Sequence, residues 1–233
     1  MNLEKHRKEF NNLASKPPGN TTTILKYLSI IDTAIQCADY ESYSKILPEK
    51  GDFFRKLHDY YGWKAKDAHL DRGGCAGSLY RSSKYMEILP DERIGSRKGQ
   101  NVHIEHVVPI NLIPRLIWKK RRSLNNLESI FDFVLKISVC AAVDQENERE
   151  SIDKDRPIYG VRKDWRQKHP GIERKGDAAY LTKQLPFSRY IGSKVSIYTM
   201  STGKEICFET YTYEQHLNAL KEHKAFQWNT YKP

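Results

Sequence analysis

An acidic residue and a histidine lie side by side in the segment from Val102 to Pro109, and this pair is where the sequence is best suited to chemistry. Apolar residues alternate with His103 and Glu105 along the segment and Pro109 ends it, which predicts a short strand. A carboxylate at Glu105 is a hard ligand for Mg²⁺, and a neutral His106 can take a proton from water. Neighbours on a regular strand face opposite sides, so the pair shares one site only if the strand twists or bulges before Pro109. The alternative is a surface histidine beside a solvated glutamate.

The segment Glu105-His106-Val-Val-Pro resembles the first strand of the HNH, or ββα-metal, nuclease fold, in which an acid precedes His, apolar residues and Pro. The resemblance implies that Glu105 binds a metal and that His106 is the general base. It also implies a central Asn that holds a loop through side-chain to backbone hydrogen bonds. Asn125 and Asn126 compete for that position, and either is alternatively an ordinary residue of a helical first turn.

The same resemblance implies a third metal ligand on the helix that follows the second strand of the nuclease fold. The apolar run from 137 to 143 predicts that strand, and Asp144 opens the helix. Asn147 is the expected ligand because a carboxamide oxygen suits a hard cation, with Glu146 and Gln145 as rivals. If Asp144 only caps the helix, Asn147 is instead a solvent-exposed residue.

Charge points to a polyanionic partner, because the net charge is +10 and the pI is near 9.3. Lysines and arginines that neutralise phosphates release counterions and so drive binding to nucleic acid. The predicted DNA contacts are a run of four cations after the strand and two arginines in other segments: Lys119, Lys120, Arg121, Arg122, Arg81 and Arg189. Solvated surface positions are the alternative for these residues.

Cysteine usage and hydropathy exclude several classes of protein. The four cysteines form no CxxC pair, so a zinc ribbon is not expected and reduced thiols are. No apolar run is long enough to span a membrane, and the start MNLEKHRKEF lacks the apolar core of a secretory signal. We therefore expect a cytoplasmic protein with no membrane partner.

The pattern of elements predicts an α+β fold. Helices are predicted near 1–15, from Thr21 onward, over 39–46, over 52–61 and near the C-terminus. A further helix is predicted to begin at a cap formed by Ser123. A hairpin is predicted from strands 194–198 and 205–210. The expected organisation is a helical, Gly/Arg-containing region at 1–99, a ββα-metal core at 100–155 and a hairpin-helix unit at 156–233, packed into one domain.

Size and resemblance together predict a restriction-type endonuclease, dependent on Mg²⁺ (or Mn²⁺), that cuts double-stranded DNA at a specific sequence. A palindromic site would imply a homodimer. One alternative is a less specific HNH nuclease or toxin. Another is a noncatalytic basic nucleic-acid-binding protein in which Glu105 and His106 are incidental.

Overall fold

The structure, a computed structural model, describes residues 2–14, 21–48, 54, 78–95, 99–149, 180 and 184–221. Within these ranges the helices are α1 (Leu3–Ala14), α2 (Thr21–Ile35), α3 (Tyr40–Ile46), α4 (Ser83–Glu87), α5 (Ile113–Lys120), α6 (Leu127–Ile137) and α7 (Tyr213–Lys221). The strands are β1 (Tyr80–Ser82), β2 (Val102–His106), β3 (Cys140–Asp144) and β4 (Ile197–Thr199). Short helical turns lie at Pro90–Glu92, Ile110–Leu112, Arg121–Ser123, Gln145–Arg149 and Ser188–Tyr190. The fold is a mixture of helix and strand, as the sequence predicts.

One sheet holds all four strands, in the order β2-β3-β1-β4. β2 pairs antiparallel with β3, β3 pairs parallel with β1, and β1 pairs antiparallel with β4. Each of the three predicted regions therefore contributes at least one strand. The first of them adds β1, which was not predicted within the helical, Gly/Arg-containing region at 1–99.

Apolar periodicity explains the helices. In α2 the side chains of Leu28, Ile31 and Ala34 recur every three residues on one face and are fully buried. Helix α6 buries a similar stripe and packs against α2 and α7. No helix in the described ranges is long and apolar enough to cross a membrane.

Two predicted details require correction. Helix α6 begins after Asn126 and not after Ser123, because the Asn126 side chain accepts a hydrogen bond from the Ser129 N–H at 2.7 Å. The hairpin is also shorter than predicted. In the described part of the chain, β4 forms one bridge to the segment that follows it, between Tyr198 and Glu205. The chain then turns, and the Cys207 carbonyl accepts a hydrogen bond from the N–H of Tyr211. The predicted helix at 52–61 lies outside the described residues except at position 54.

The two faces of the sheet are covered by different parts of the chain. On one face the fully buried Arg81 contacts Glu9 of α1. On the other face Tyr80 packs against Phe187 and hydrogen-bonds His216 of α7. Because residues alternate along a strand, this division decides which side chains of β2 can meet.

Candidate functional site

The side chains of β2 separate onto the two faces of the sheet. The β2–β3 ladder is regular through the pairing of His106 with Cys140, and no bulge interrupts it. His103 and Glu105 therefore lie on one face, and His106 lies on the other. Their contacts agree, since Glu105 meets His103 while His106 meets Cys140. No bulge lies between 102 and 106, so the pairing of β2 with β3 does not bring the two side chains into one site.

Glu105 is a buried carboxylate whose charge is compensated within the protein. The residue is 7% exposed, and its Oε1 lies 2.6 Å from Nη1 of Arg189. Nε2 of His103 lies 3.5 Å from the other carboxylate oxygen. Arg189 also donates to the carbonyl oxygen of His106 at 3.2 Å. The guanidinium thus ties the short turn at 188–190 to the end of β2.

His106 is half-buried, and its Nδ1 lies 3.3 Å from Sγ of Cys140. This contact has two forms, which differ in the imidazole tautomer. When the Nδ1–H donates to sulfur, Nε2 carries the lone pair that a general base needs. When the thiol donates to Nδ1, Nε2 carries the proton and the ring cannot act as a base through that atom.

The turn after β3 presents a buried carboxylate, Glu148, which was not predicted from the sequence. Asn147, the expected ligand, has an exposed side chain, while its N–H donates to Oδ1 of Asp144 at 2.6 Å. Glu146 is also exposed. Glu148 is 5% exposed and accepts from the hydroxyl of Ser82 and, at 3.0 Å, from the N–H of Asp144. Burial raises the pKa of this carboxyl.

Glu148 approaches the sheet from the same side as Glu105. The pairings Tyr80 with Ala141 and Ala141 with Glu105 put these three on one face, and Ser82 follows Tyr80 by two residues. Ser82 in turn holds Glu148. The sequence signal that could have identified Glu148 is its position four residues after Asp144, because one helical turn returns a side chain to the same side, here over the sheet.

The buried Tyr190 interacts electrostatically with both of these acids. Its side chain is fully buried, and its hydroxyl has no hydrogen-bond partner in the described part of the chain. Burial raises the pKa of Tyr190, and the charge of Glu105 and, more weakly, that of Glu148 raise it further, whereas Arg189 lowers it. Glu105, Glu148, Arg189 and Tyr190 therefore form one electrostatically connected group, which we call the acid layer.

The two predicted loop asparagines lie at the start of α6. Asn126 and Ser129 form a reciprocal capping box, in which each side chain binds the other's backbone N–H. Oδ1 of Asn125 accepts from the Ser129 hydroxyl at 3.5 Å. The side-chain to backbone bond of Asn126 thus organises the start of α6.

The predicted DNA contacts differ in accessibility. Lys119, Lys120 and Arg122 are exposed, while the guanidinium of Arg121 lies 3.5 Å over the Trp118 ring. Arg81 has 0% exposure. A guanidinium without exposed surface cannot reach a phosphate, so the predicted contact at Arg81 is corrected to a structural role. Arg189 is partly buried in its ion pair with Glu105.

A divalent-metal site is not complete among these residues. In the described ranges, no group of three His, Cys, Asp or Glu side chains is placed to hold a metal ion. The carboxylate of Glu105 is already neutralised by Arg189, and the side chain of Asn147 faces solvent. The donors thus fit Mg²⁺ or Mn²⁺ only if Arg189 releases Glu105 and a further oxygen ligand approaches.

Comparisons of the chain with family models, curated proteins and solved structures found no match.

Proposed function

We propose that this protein is an HNH-type endonuclease that hydrolyses phosphodiester bonds in double-stranded DNA, with restriction-type sequence specificity. The observation that carries the proposal is the order of elements around Glu105 and His106. The pair ends strand β2, which runs antiparallel to β3, and a helical turn at Gln145–Arg149 follows β3 directly. A strand, an antiparallel strand and a helix in this order are what the ββα-metal resemblance requires.

His106 is the proposed general base. In the tautomer whose Nδ1–H donates to Sγ of Cys140, the thiol orients the ring and Nε2 takes a proton from the attacking water. Arg189 already places a cation at the end of β2, through its bonds to Glu105 and to the His106 carbonyl. A phosphate bound there would be held by the guanidinium, which suits its planar fork.

Mg²⁺ or Mn²⁺ remains a prediction from the resemblance. A bound divalent ion would stabilise negative charge on the phosphate oxygens. Glu105 is the ligand that the resemblance selects, Asn147 the second, and the buried Glu148 is a third oxygen donor on the face of Glu105.

The exposed cations suit DNA. Lys119, Lys120 and Arg122 follow one another at the end of α5, and the whole chain carries a net charge of +10. Such a surface predicts affinity that falls steeply with salt. Discrete bands from plasmid digestion would support sequence specificity, and a homodimer would follow from a palindromic site, whereas a smear would support a less specific nuclease or toxin.

One observation favours a second candidate, a noncatalytic nucleic-acid-binding protein. The ion pair between Glu105 and Arg189 satisfies the carboxylate internally, and His106 faces away from it. This candidate predicts DNA binding that survives EDTA, together with no cleavage in any divalent metal.

The deciding experiment compares two histidine variants in a plasmid cleavage assay with Mg²⁺ or Mn²⁺. We expect His106→Ala to lose cleavage by roughly two to four orders of magnitude, the usual contribution of a positioned base, while DNA binding persists. His103→Ala is the matched comparison, because it removes an imidazole from the face that holds Glu105. Added imidazole should partly restore His106→Ala, which a purely structural loss would not allow.

Cleavage that is lost in His103→Ala and kept in His106→Ala would indicate that the general base is His103, on the face of Glu105. Full activity in both single variants would contradict histidine catalysis from this strand. Absence of cleavage by the wild-type protein in any metal, with DNA binding intact, would favour the noncatalytic binder.

A further inference from the structure

A cavity of about 220 Å³ lies between helices α5, α6 and α7. Lys120 and Ser123, at its rim, are exposed, whereas Leu116, Ile137 and Tyr213 in its wall are buried. The cavity therefore opens to solvent beside the run of cations and extends inward toward the core.

The walls of this cavity suit a flat ring. Phe133, Tyr180 and Tyr213 bring three aromatic side chains, and Leu116 and Ile137 bring aliphatic ones. Aromatic and aliphatic walls stabilise a planar heterocycle by stacking and by removing its faces from water. The volume is below the roughly 300 Å³ at which sites for drug-sized ligands begin, so a single ring system fits better than a large cofactor.

Polar groups in the wall can select the edge of such a ring. Tyr213 is 3% exposed, and its hydroxyl has no hydrogen-bond partner within the described ranges. A buried hydroxyl without a partner costs free energy unless something binds it. Gln184 adds an amide, and its backbone has φ 58°, a left-handed conformation that is uncommon for a residue with a side chain. Strain of this kind persists where the surroundings hold it, often at binding sites.

Among the described residues that line the cavity, Lys120 is the cation available to an anionic group. Two lysines, Lys120 and Lys136, line the cavity, but Lys136 is ion-paired with Glu214 of α7. Lys120 is exposed and belongs to the cation run at the end of α5. The cavity thus combines an aromatic slot, hydrogen-bonding groups and one cation at its mouth.

We infer that this cavity binds a nucleobase, with the attached 5′-phosphate held by Lys120. A nucleobase has the planar faces and polar edge that the walls match, and the phosphate supplies the anion. The ligand has two sources: a base turned out of a DNA strand or a free nucleotide. The first rests on the proposed function and makes the cavity part of substrate recognition, since enzymes that extrude a base read it in such a pocket.

The test measures binding in EDTA, so that cleavage plays no part. One probe is 2-aminopurine deoxyriboside 5′-monophosphate, followed by its fluorescence. The other is a DNA duplex that carries one 2-aminopurine and an end label, so that anisotropy reports binding and 2-aminopurine emission reports extrusion of the base. The wild-type protein should change the emission of the free nucleotide saturably.

Two variants and their controls locate the site. Lys120→Ala should weaken binding of the free nucleotide roughly tenfold, the usual value of one charge-assisted contact. Lys204→Ala removes the same charge from an exposed residue that does not line the cavity, and it should bind as the wild type does. Gln184→Gly should also weaken binding, whereas Gln184→Asn, which keeps an amide and tolerates the left-handed backbone, should restore most of it.

A saturable response that is lost with Lys120 and kept with Lys204 supports the cavity. Changed emission from the duplex then assigns the base to a DNA strand, and a response from the nucleotide alone assigns it to free nucleotide. Absence of saturable binding by either probe, or equal losses in the two lysine variants, overturns the inference. Anisotropy keeps this failure separate from the proposed function, because a duplex that binds without occupying the cavity leaves the nuclease proposal standing.

Discussion

At the scale of single residues, the face of the strand on which each side chain lies decides whether Glu105 and His106 can share one site. Adjacent residues on a regular strand cannot both point into one pocket, and the ladder is regular to its last pair, His106 with Cys140. Both residues nevertheless meet at Arg189, which binds the carboxylate of the first and the carbonyl oxygen of the second. The nuclease proposal therefore requires rearrangement at the end of β2 when DNA or metal binds.

The ion pair between Glu105 and Arg189 can be tested by stability. Arg189→Met should lower the free energy of unfolding by about 3 kcal/mol, because it leaves a buried carboxylate without its counter-charge. The Glu105→Gln, Arg189→Met double variant should be more stable than Arg189→Met alone, since no charge is then left unpaired. Urea denaturation of the wild type, both single variants and the double variant gives the coupling energy. Strictly additive losses would mean that the two side chains do not interact in solution.

The sequence predicted strand β2 but not the side chains that its residues contact. Alternation in the segment and the acid next to histidine are local features, and both were readable. Arg189 reaches His106 from 83 positions away, and no local pattern reports such a contact. The resemblance to the HNH fold selects an Asn at this turn and so predicted Asn147, which faces solvent, whereas the buried carboxylate is Glu148, one residue later.

At the scale of elements, helix ends depend on individual side chains. Asn126 caps α6 by accepting from the Ser129 N–H and receives a reciprocal bond in return. Asn126→Ala should destabilise the protein by about 1 kcal/mol, the usual effect of losing an N-cap. Asn125→Ala is the control, because within the described ranges that side chain makes a single contact, at 3.5 Å to the Ser129 hydroxyl; its loss should stay within about 0.5 kcal/mol. Thermal denaturation of both variants would measure the difference, and equal effects would exclude the capping role.

Helices were easier to predict than strands, for a physical reason. A helix carries its hydrogen bonds and its apolar stripe within a few turns, so α1, α2 and α3 were readable locally. A strand is completed by partners elsewhere in the chain. β1 has only three residues and exists because it pairs with both β3 and β4, so a stretch rich in glycine and arginine gave no sign of it.

At the scale of the whole molecule, α1 is attached to the sheet by buried charge as well as by apolar packing. Glu9 of α1 binds Arg81 at 2.5 Å and Arg93 at 3.1 Å, and both arginines are fully buried. Burial alone would raise the pKa of Glu9, but these two arginines lower it. His6 lies against the same group, where its Nδ1 accepts from Arg81 at 3.0 Å and its Nε2 donates to the Met86 carbonyl at 2.9 Å. Part of the basic composition thus serves the interior of the protein, where Arg81 and Arg93 are buried.

This arrangement makes stability sensitive to acid through His6. Burial, followed by the charges of Arg81 and Arg93, lowers the pKa of His6 from 6.5 to about 4. Between those values the unfolded chain binds a proton that the folded protein does not, so the free energy of unfolding rises with pH through this window. Acidification from pH 6.5 to about 4 should therefore lower the free energy of unfolding by roughly 2–3 kcal/mol through this group alone.

His6→Gln retains a donor for the Met86 carbonyl, does not titrate, and should reduce the change in the free energy of unfolding with pH by that amount. His216, whose pKa burial lowers to about 3, is present in both proteins and cancels in the comparison. Urea denaturation of the wild type and of His6→Gln at several pH values measures how the free energy of unfolding of each protein changes with pH. Identical slopes would mean that His6 is protonated in the folded protein and that α1 does not exclude water from it.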